Sequence, residues 1–422
     1  MKTIWIALSF VAACTGIILG TSMRARQETG SSLFSTSELL ALREGGNSSE
    51  DSPWFPATAY YDQVRRIVES EYVVPITDKT QMARSSLRYL LRSLGDPETR
   101  YFEPPQWEAY TNRLQGIYEG IGADVMPLEA MSPNGPVIPV TIISVAPGGP
   151  AEKAGLKTGD IVESIDGRWV ASRSLFDELQ KASDAFTAGK MSRKRYDEVW
   201  TSARERSERM MSIDEALETL QSGASSLELE VRTGANTKKI KVDRMVTEVA
   251  PVVFDGTAIR LRNFGPGSGE EFADMIEEAK TTVIDLRGNA GGSVGEMKTA
   301  LTAIVGGGSF AKVKSDPKAP LEDVFLDSRR SRKPEKTYTV LVDKGTAREA
   351  EVFAAALRDL AGAKLEGGPM AGLARRVQRF ALPDGSGYAI TSGHYHDAKG
   401  NSLVREDERV KKMRQDALES AR

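Results

Sequence analysis

The chain has 422 residues, of which 40% are hydrophobic. Because domains typically hold about 100 to 200 residues, this is enough for two or three domains with their own cores. The 56 basic and 59 acidic residues give a formal net charge of -3, so the overall charge does not indicate a nucleic-acid partner or an acidic substrate. The one cysteine, Cys14, lies in the first apolar stretch, which excludes an intramolecular disulfide and a cysteine-based metal site in the rest of the chain.

The first residues form a targeting or anchoring segment. Lys2 precedes an apolar run from Ile4 to Gly20, and two arginines follow that run. A cleaved signal peptide and an uncleaved membrane anchor both show this pattern, and both export the rest of the chain. We favour a signal anchor over residues 1–23, at the short end of what spans a bilayer, because the run lacks a convincing small-residue cleavage site. Lipidation of Cys14 is a weaker alternative, since the chain stays apolar beyond it.

Two further segments precede the first strand-rich region. Residues 24–53 are rich in Ser, Gly, Glu and Thr without an apolar period, which predicts a flexible tether. Residues 54–115 carry apolar side chains at helical spacing, interrupted at Val74-Pro75. This pattern predicts a helical N-terminal region with two amphipathic helices.

A strand-rich unit over residues 116–245 contains an ordered set of glycine motifs. In chain order these motifs are Gly120–Ala123, Ala146–Ala151, Ala154–Val162 and Ile165–Gly167. Glycines used only for turns would explain each motif separately, but not their order. The set resembles a PDZ domain, a small β-barrel-like fold that binds peptide C-termini.

The resemblance implies a peptide-binding groove with two walls. Glycines of the first motif free successive backbone N–H groups for a terminal carboxylate, and the adjoining strand edge accepts the peptide as an extra strand. A helix that begins near Ser212 would form the other wall. The implied ligands are apolar C-termini. The predicted peptide-binding residues are Gly120, Ile121, Gly122, Ala123, Ile213 and Leu217.

A charged segment at about residues 182–211 interrupts this unit. It lacks proline and carries Phe186, Tyr196 and Trp200 among many Lys, Arg and Glu residues, so we predict that it is helical. A solvated face is the simpler interpretation of such a helix, and a partner-docking arm is the alternative.

Residues 246–404 alternate strand-like and helix-like segments, which favours a partly parallel α/β layer. The predicted strands are Ile259–Leu261, Thr282–Leu286 and Tyr338–Val342, and the predicted helices are Glu270–Ala279 and Glu349–Leu360. The remaining residues, 405–422, are highly charged and predict a helical tail.

Two motifs on either side of the PDZ-like unit point to a wider family. Asp96–Phe102 precedes the unit and Asp285–Gly292 follows it. With the order of the domains, they resemble the carboxyl-terminal processing serine peptidases over about residues 59–401. The resemblance implies an α/β multidomain fold: a helical N-terminal region, a PDZ domain with a helical insert, and an α/β peptidase-like core. It also implies that Gly291 and Gly292 lie in an oxyanion-side loop whose amides face a substrate oxygen.

The same resemblance indicates that the catalytic dyad is lost. In the family, a Gly-Thr-Ala-Ser turn carries the nucleophilic serine, and a lysine further along the chain is the base. Here the turn reads Gly345-Thr346-Ala347-Arg348, and the lysine position falls on Leu373. An arginine stays protonated and a leucine cannot accept a proton. We therefore predict a pseudoenzyme, with no catalytic residue at either position.

Relocated chemistry is the alternative. Thr346 and Ser293 carry hydroxyls, Lys344 carries an amine, and His394 and His396 could act as bases. Catalytic groups are defined by their roles rather than by sequence position, but nothing in the sequence places a hydroxyl and a base together. Two histidines that alternate along a predicted strand do not make a metal site. We expect neither a metal nor a cofactor.

These features predict an extracytoplasmic binding protein of the cell envelope, attached to the membrane by its N-terminal anchor. We expect it to bind the C-termini of unfolded or envelope proteins without cleaving them, and we expect no nucleic-acid partner. An active peptidase is a further candidate partner, for which the chain would be an adaptor. Two alternatives remain: a serine endopeptidase that uses relocated residues, and a scaffold whose PDZ groove is closed.

Overall fold

The computed structural model describes most of the chain after the predicted tether. The described residues are 57–405 without 129, 133–134, 172–173, 224, 317, 328–333 and 335. The predicted anchor (1–23), the tether (24–53) and the tail beyond Arg405 lie outside them. None of the described helices is both long enough and apolar enough to cross a membrane. The chain divides into two compact units, one ending at Thr80 and one starting at Gln81.

Two amphipathic helices open the described chain, as predicted. The first, α1 (Ala57–Glu71), ends before the interruption at Val74-Pro75 and belongs to the first unit. An ion pair one turn apart, between Arg65 and Glu69 at 2.7 Å, supports it. The second helix is α2 (Lys79–Arg92), which has no buried residue in the described structure.

The region before the PDZ domain is not entirely helical. It contains the strand β1 (Arg100–Phe102), the helix α3 (Pro104–Leu114) and the strand β2 (Ile117–Tyr118). The ring of Phe102 stacks on Tyr110 with centroids 4.5 Å apart, and this aromatic contact fixes β1 against α3. A strand of three residues is too short to show a period in the sequence, so the prediction of helices alone missed β1.

The PDZ domain is built around one sheet with its own hydrophobic core. Its strand order is β10-β9-β7-β6-β3, with β8 paired to β7, so that β3 lies at an edge. A separate hairpin joins β4 to β5. The strands are β3 (Ala123–Pro127), β4 (Ala130–Ser132), β5 (Gly135–Val137), β6 (Val140–Val145), β7 (Ile161–Ile165), β8 (Arg168–Trp169), β9 (Leu227–Thr233) and β10 (Asn236–Val242).

Four helices accompany this sheet, and two of them form the predicted insert. The rings of Phe186 and Tyr196 stack at 4.7 Å and join the two insert helices, while Trp200 stays 45% exposed. The prediction of a helical insert is confirmed, although its first helix starts earlier than residue 182. The helices are α4 (Pro150–Lys153), α5 (Ser174–Thr187), α6 (Arg193–Glu208) and α7 (Ile213–Gln221).

The peptidase-like core contains the predicted, partly parallel α/β layer. Its first sheet has the order β12-β13-β14-β17-β18 and is parallel from β13 to β18. Its second sheet is antiparallel, and β1 pairs with β20 at its edge. The elements are β11 (Thr247–Glu248), β12 (Val252–Phe254), β13 (Ile259–Leu261), α8 (Ser268–Glu278), β14 (Val283–Asp285), α9 (Val294–Val305), β15 (Ser309–Lys314), β16 (Glu322–Phe325), β17 (Thr339–Val342), α10 (Glu349–Ala361), β18 (Lys364–Gly367), β19 (Arg375–Ala381) and β20 (Gly387–His396).

The parallel sheet positions the candidate site. Parallel strands end at the same edge of a sheet, and ligands of open α/β sheets bind in the crevice beyond these carboxyl ends. The loop that starts at Asp285 follows β14, and the turn that ends at Arg348 lies between β17 and α10. The two segments that the resemblance assigned to the active site therefore meet at one edge.

Candidate active site

Arg348 occupies a sharp turn between a strand and a helix. Its backbone has φ +53° and ψ -119°, a left-handed conformation that is rare for a residue other than glycine. Such a conformation costs on the order of 1 to 3 kcal/mol and persists where the surroundings enforce it. Strained turns of this kind present the nucleophile in many hydrolases. The backbone expected of a nucleophile is present here, but the side chain on it is an arginine.

The guanidinium of Arg348 is buried between three parts of the chain. Its Nε donates to Glu98 Oε1 at 2.6 Å, and its Nη1 donates to Asp124 Oδ2 at 2.7 Å and to the carbonyl oxygen of Ala290 at 3.0 Å. The side chain is only 4% exposed. Glu98 precedes β1, Asp124 lies on β3 of the PDZ domain, and Ala290 belongs to the loop after β14, so one cation joins all three.

Electrostatics keep this cluster ionised. Burial is the largest single effect and would raise the pKa of Glu98, but the attraction and hydrogen bond of Arg348, with the nearby Arg375 and Arg113, together outweigh it, so the pKa lies below its usual value. Burial likewise opposes the charge of Arg348, yet Glu98 holds the pKa of the guanidinium above its usual value. Arg113 also donates to Asp124, and burial together with the nearby charge of Arg348 lowers the pKa of Arg113 to about 10. Arg348 is therefore a permanent cation that cannot attack a carbonyl or accept a proton.

Leu373 lies in an apolar cluster. It is 4% exposed and packs with Ala347 of the core and with Met126 and Ile143 of the PDZ domain. The position that the resemblance assigns to the basic lysine thus holds a side chain that contributes hydrophobic burial between two domains. It has no atom that could accept a proton.

One carboxylate connects the two positions that the resemblance assigns to the dyad. Glu351 accepts backbone N–H groups from Arg348 at 3.0 Å and from Gly372 and Leu373 at 2.7 Å each. Burial raises the pKa of Glu351 to about 7, against the opposing effect of these three donors. Glu351 therefore fixes the backbones of both positions through hydrogen bonds that do not depend on which side chains those positions carry.

The oxyanion-side loop is filled by the protein itself. The amide of Gly291 donates to Asn289 Oδ1 at 2.9 Å, and the amide of Gly292 donates to Glu349 Oε2 at 3.0 Å. A Cβ atom on Gly291, where φ is +96°, would lie 2.4 Å from the same Glu349 oxygen, so glycine is required for this approach. In this conformation the side-chain carboxylate of Glu349 occupies the place that the resemblance assigns to a substrate oxygen.

The hydroxyls considered for relocated chemistry take part in local structure. The hydroxyl of Thr346 donates to the carbonyl of Leu286 at 2.9 Å, and the Oγ of Ser293 accepts the amide of Glu296 at 3.4 Å as the N-cap of α9. His394 and His396 lie on β20. Lys344 is an exposed residue in the turn after β17. Among the described residues no cluster of His, Cys, Asp and Glu could hold a metal ion.

The predicted peptide-binding residues of the PDZ domain are brought together, and the C-terminal end of α7 contacts their glycine turn. The amide of Ile121 donates to the carbonyl of Leu220 at 2.9 Å, at the end of α7. Ile213 and Leu217 are 6% and 3% exposed and pack in the PDZ core. A Cβ atom on Gly120 would lie 2.1 Å from the Leu220 carbonyl oxygen. Helix α7 therefore lies directly on the glycine turn.

Comparison with known proteins agrees with this architecture. Residues 256–411 match the family model of peptidase family S41, and residues 141–182 match that of the PDZ domain. Carboxyl-terminal-processing peptidase 2 of Arabidopsis thaliana is 26% identical over 336 residues, which are 75% of this chain and 57% of the relative. Carboxy-terminal processing protease CtpA of Bacillus subtilis is 25% identical over 389 residues, 91% of this chain and 73% of the relative.

The chain contains a peptidase S41 domain and a PDZ domain, and the relatives that it matches are carboxyl-terminal processing proteases.

A solved structure of the photosystem II D1 C-terminal processing protease has the same fold. It superposes with a TM-score of 0.54 at 22% identity, over 82% of this chain and 84% of the other. The chain spans just over half the length of the plant relative.

Sequence reasoning missed four carboxylates of this S41 site: Glu98, Asp124, Glu349 and Glu351. Glu98 lies inside the motif that identified the family, and Asp124 directly follows the glycine turn of the PDZ domain. Glu349 and Glu351 open α10, where acidic residues usually interact with the helix dipole. Their burial was the missing information, because each of the four is at most 4% exposed.

We predict that Arg348→Met strongly destabilises the protein. The change leaves Glu98 buried without its closest cation, and removing one partner of a buried ion pair typically costs about 3 to 5 kcal/mol. The free energy of unfolding is measured by chemical denaturation. The matched control is Arg204→Met on α6, whose side chain is 81% exposed. Adding Glu98→Gln should restore part of the loss, and equal effects of the Arg348 and Arg204 variants would contradict the ion pair's role.

We predict that Glu351 makes the stability fall as the pH rises towards neutrality. Its pKa is about 7 in the folded chain and about 4.3 when unfolded, so between these values the folded chain binds the extra proton. The stabilisation is therefore complete below about pH 4.3 and is lost through pH 7, by up to about 1.4 kcal/mol per pH unit. Glu351→Gln should flatten this dependence in denaturation curves, and Glu205→Gln, on an exposed position, should not. An unchanged slope in Glu351→Gln would refute the assignment.

Proposed function

We propose that this S41 relative does not cleave peptide bonds and instead binds protein C-termini through its PDZ domain. One observation carries the first half of the proposal: the side chain on the nucleophile turn is an arginine held in two buried ion pairs, with Glu98 and Asp124. Acyl transfer needs a nucleophile in contact with a base. Arg348 can be neither. It is held by ion pairs with Glu98 and Asp124, and removing it would leave these buried carboxylates without this cation.

The surroundings of Arg348 support the same conclusion. A peptidase stabilises the tetrahedral intermediate with amides that are free to bind the oxyanion, whereas the amide of Gly292 binds the Glu349 carboxylate. The base position holds Leu373 in an apolar cluster. Loss of the nucleophile or base alone typically costs on the order of a million-fold in turnover, so little activity is expected from the remaining parts.

We predict that the purified full-length protein does not cleave unfolded proteins with apolar C-termini above background. Two comparisons make the assay specific. Thr346→Ala and Ser293→Ala test relocation, and the double variant Arg348→Ser, Leu373→Lys tests whether the scaffold still supports chemistry. Cleavage by the unmodified protein that a serine-directed inactivator abolishes would end the non-catalytic proposal. Cleavage found only in the double variant would support it.

The second half of the proposal concerns the groove between β3 and α7. The glycine turn at Gly120 and Gly122 and the edge strand β3 supply the parts that a PDZ domain uses for a peptide carboxylate and for strand addition. In the described conformation α7 covers the turn, so α7 has to move before a peptide can enter. Part of the binding energy is then spent on opening the groove, which lowers the apparent affinity.

We predict that binding depends on the free peptide terminus. A peptide with an apolar last residue should bind the full-length protein at least about ten-fold more tightly than its C-terminally amidated form. Amidation removes the negative charge of the terminal carboxylate, to which the backbone N–H groups of the turn would donate hydrogen bonds. Isothermal titration calorimetry measures both. The control is the same peptide with a polar last residue, which should also bind weakly. Equal affinities for the free and amidated peptides would rule out this binding mode.

The contact of α7 with the glycine turn also favours a second function, that of a scaffold without a peptide ligand. The amide of Ile121 and the side chains of Ile213 and Leu217 are already used within the domain. A complete lack of peptide binding in the titration would support the scaffold. For either function we propose a location in the cell envelope with an N-terminal anchor, and envelope proteins or an active peptidase as partners. Recovery of the native protein as a soluble chain whose N-terminus lies near residue 23 would contradict the anchor.

A further inference from the structure

A cavity lies at the carboxyl edge of the parallel sheet, between the core and the PDZ domain. It has a volume of about 590 Å³ and is open to solvent. All four parallel strands end at it: Arg262 follows β13, Arg287 follows β14, Lys344 follows β17 and Gly368 follows β18. The PDZ domain supplies the opposite wall, including Lys157. This is the edge at which open α/β sheets bind ligands.

The acidic residues of this cavity are already engaged. Asp285 pairs with Arg287 at 2.7 Å. The Oδ1 of Asp343 accepts the amides of Gly288 at 3.0 Å and Gly345 at 2.9 Å. Glu152, on the PDZ side, accepts the amide of Gly148 at 2.7 Å. These carboxylates therefore stabilise local structure, and within the described part of the chain none of them forms an ion pair with Lys157, Arg262 or Lys344.

Three cations in the cavity remain without a carboxylate partner. The side chains of Lys157, Arg262 and Lys344 form no ion pair within the described part of the chain, although Arg262 is half-buried. Lys157 comes from the PDZ domain, and the other two come from the core. Like charges that two domains bring into one concave site attract anions, because the low-dielectric walls of the cleft focus the electric field. The cavity is thus a site for a negatively charged ligand.

Apolar side chains decide which class of anion fits. Val145, Pro147, Leu156 and Pro369 line the same cavity beside the cations. The cations come from separate strand ends and from the facing domain, whereas a single phosphate group is usually held by donors that converge on one point. A ligand that covers this surface needs several separated negative charges with apolar groups between them.

We propose that this cavity binds an acidic, partly apolar segment of a polypeptide. Its carboxylates pair with Lys157, Arg262 and Lys344, and its apolar side chains pack on Pro147 and Pro369. The site is separate from the groove between β3 and α7, and it requires no free terminal carboxylate. The proposal therefore does not depend on the proposed function.

The test uses the full-length protein and a short peptide of alternating Glu and Leu, blocked at both ends. The Glu peptide should bind at least about ten-fold more tightly than its Gln counterpart in fluorescence anisotropy, with an affinity that falls as salt rises. Arg262→Gln combined with Lys344→Gln should remove this preference, and so should Lys157→Gln from the facing domain. Lys194→Gln, an equal charge change on the exposed helix α6, should leave it intact.

Three outcomes would overturn the proposal. Equal binding of the Glu and Gln peptides would exclude recognition of acidic side chains. An equal loss in Lys194→Gln would show attraction to the whole protein rather than to the cavity. Tight binding of inorganic phosphate that depends on Arg262 and Lys344, without competition from the Glu peptide, would assign the site to a phosphate group. Unfolding curves of each variant, matching the unmodified protein, establish that losses of binding are local.

Discussion

The buried charge of Arg348 is the interaction on which the site depends. Its guanidinium satisfies Glu98 and Asp124, two carboxylates that would be costly to bury without a cation. Because Asp124 lies on the edge strand of the PDZ domain, this ion pair also determines where that domain contacts the core. The apolar contacts of Leu373 with Met126 and Ile143 lie at the same boundary. The two positions that the resemblance assigns to the dyad thus join the domains, by charge at Arg348 and by hydrophobic burial at Leu373.

The backbone features expected of a peptidase site are formed around Arg348 and Leu373. They are the strained turn at Arg348, the three amides bound by Glu351 and the glycine loop after β14. These features are made by main-chain groups and by carboxylates, so they do not require a serine at position 348 or a lysine at position 373. The amide of Gly292 is bound by Glu349. A fold of this kind can carry different chemistry, because activity resides in a few side chains on a scaffold.

The sequence allowed much of the fold to be predicted, but not the contents of the site. The ordered glycine motifs identified the PDZ domain, and the strand and helix periods located the parallel sheet within a few residues. The ion pairs could not be predicted in this way, because Arg348 is separated by 250 residues from Glu98 and by 224 from Asp124. Local sequence patterns indicate which face of an element is apolar. They do not indicate which distant carboxylate contacts a given arginine. For the same reason, the glycine motif did not allow the contact between α7 and the glycine turn to be predicted.

The strained turn with its arginine also limits how the protein can evolve. A change of Arg348 to serine would place a hydroxyl on the turn, but it would leave Glu98 in the interior without its closest cation and Leu373 unable to act as a base. Glu349 would still bind the amide of Gly292. Such a single change therefore lowers stability without assembling a nucleophile and a base, and proteins have only about 5 to 15 kcal/mol of stability to lose. Selection therefore acts more readily on the exposed binding surfaces of this scaffold than on position 348.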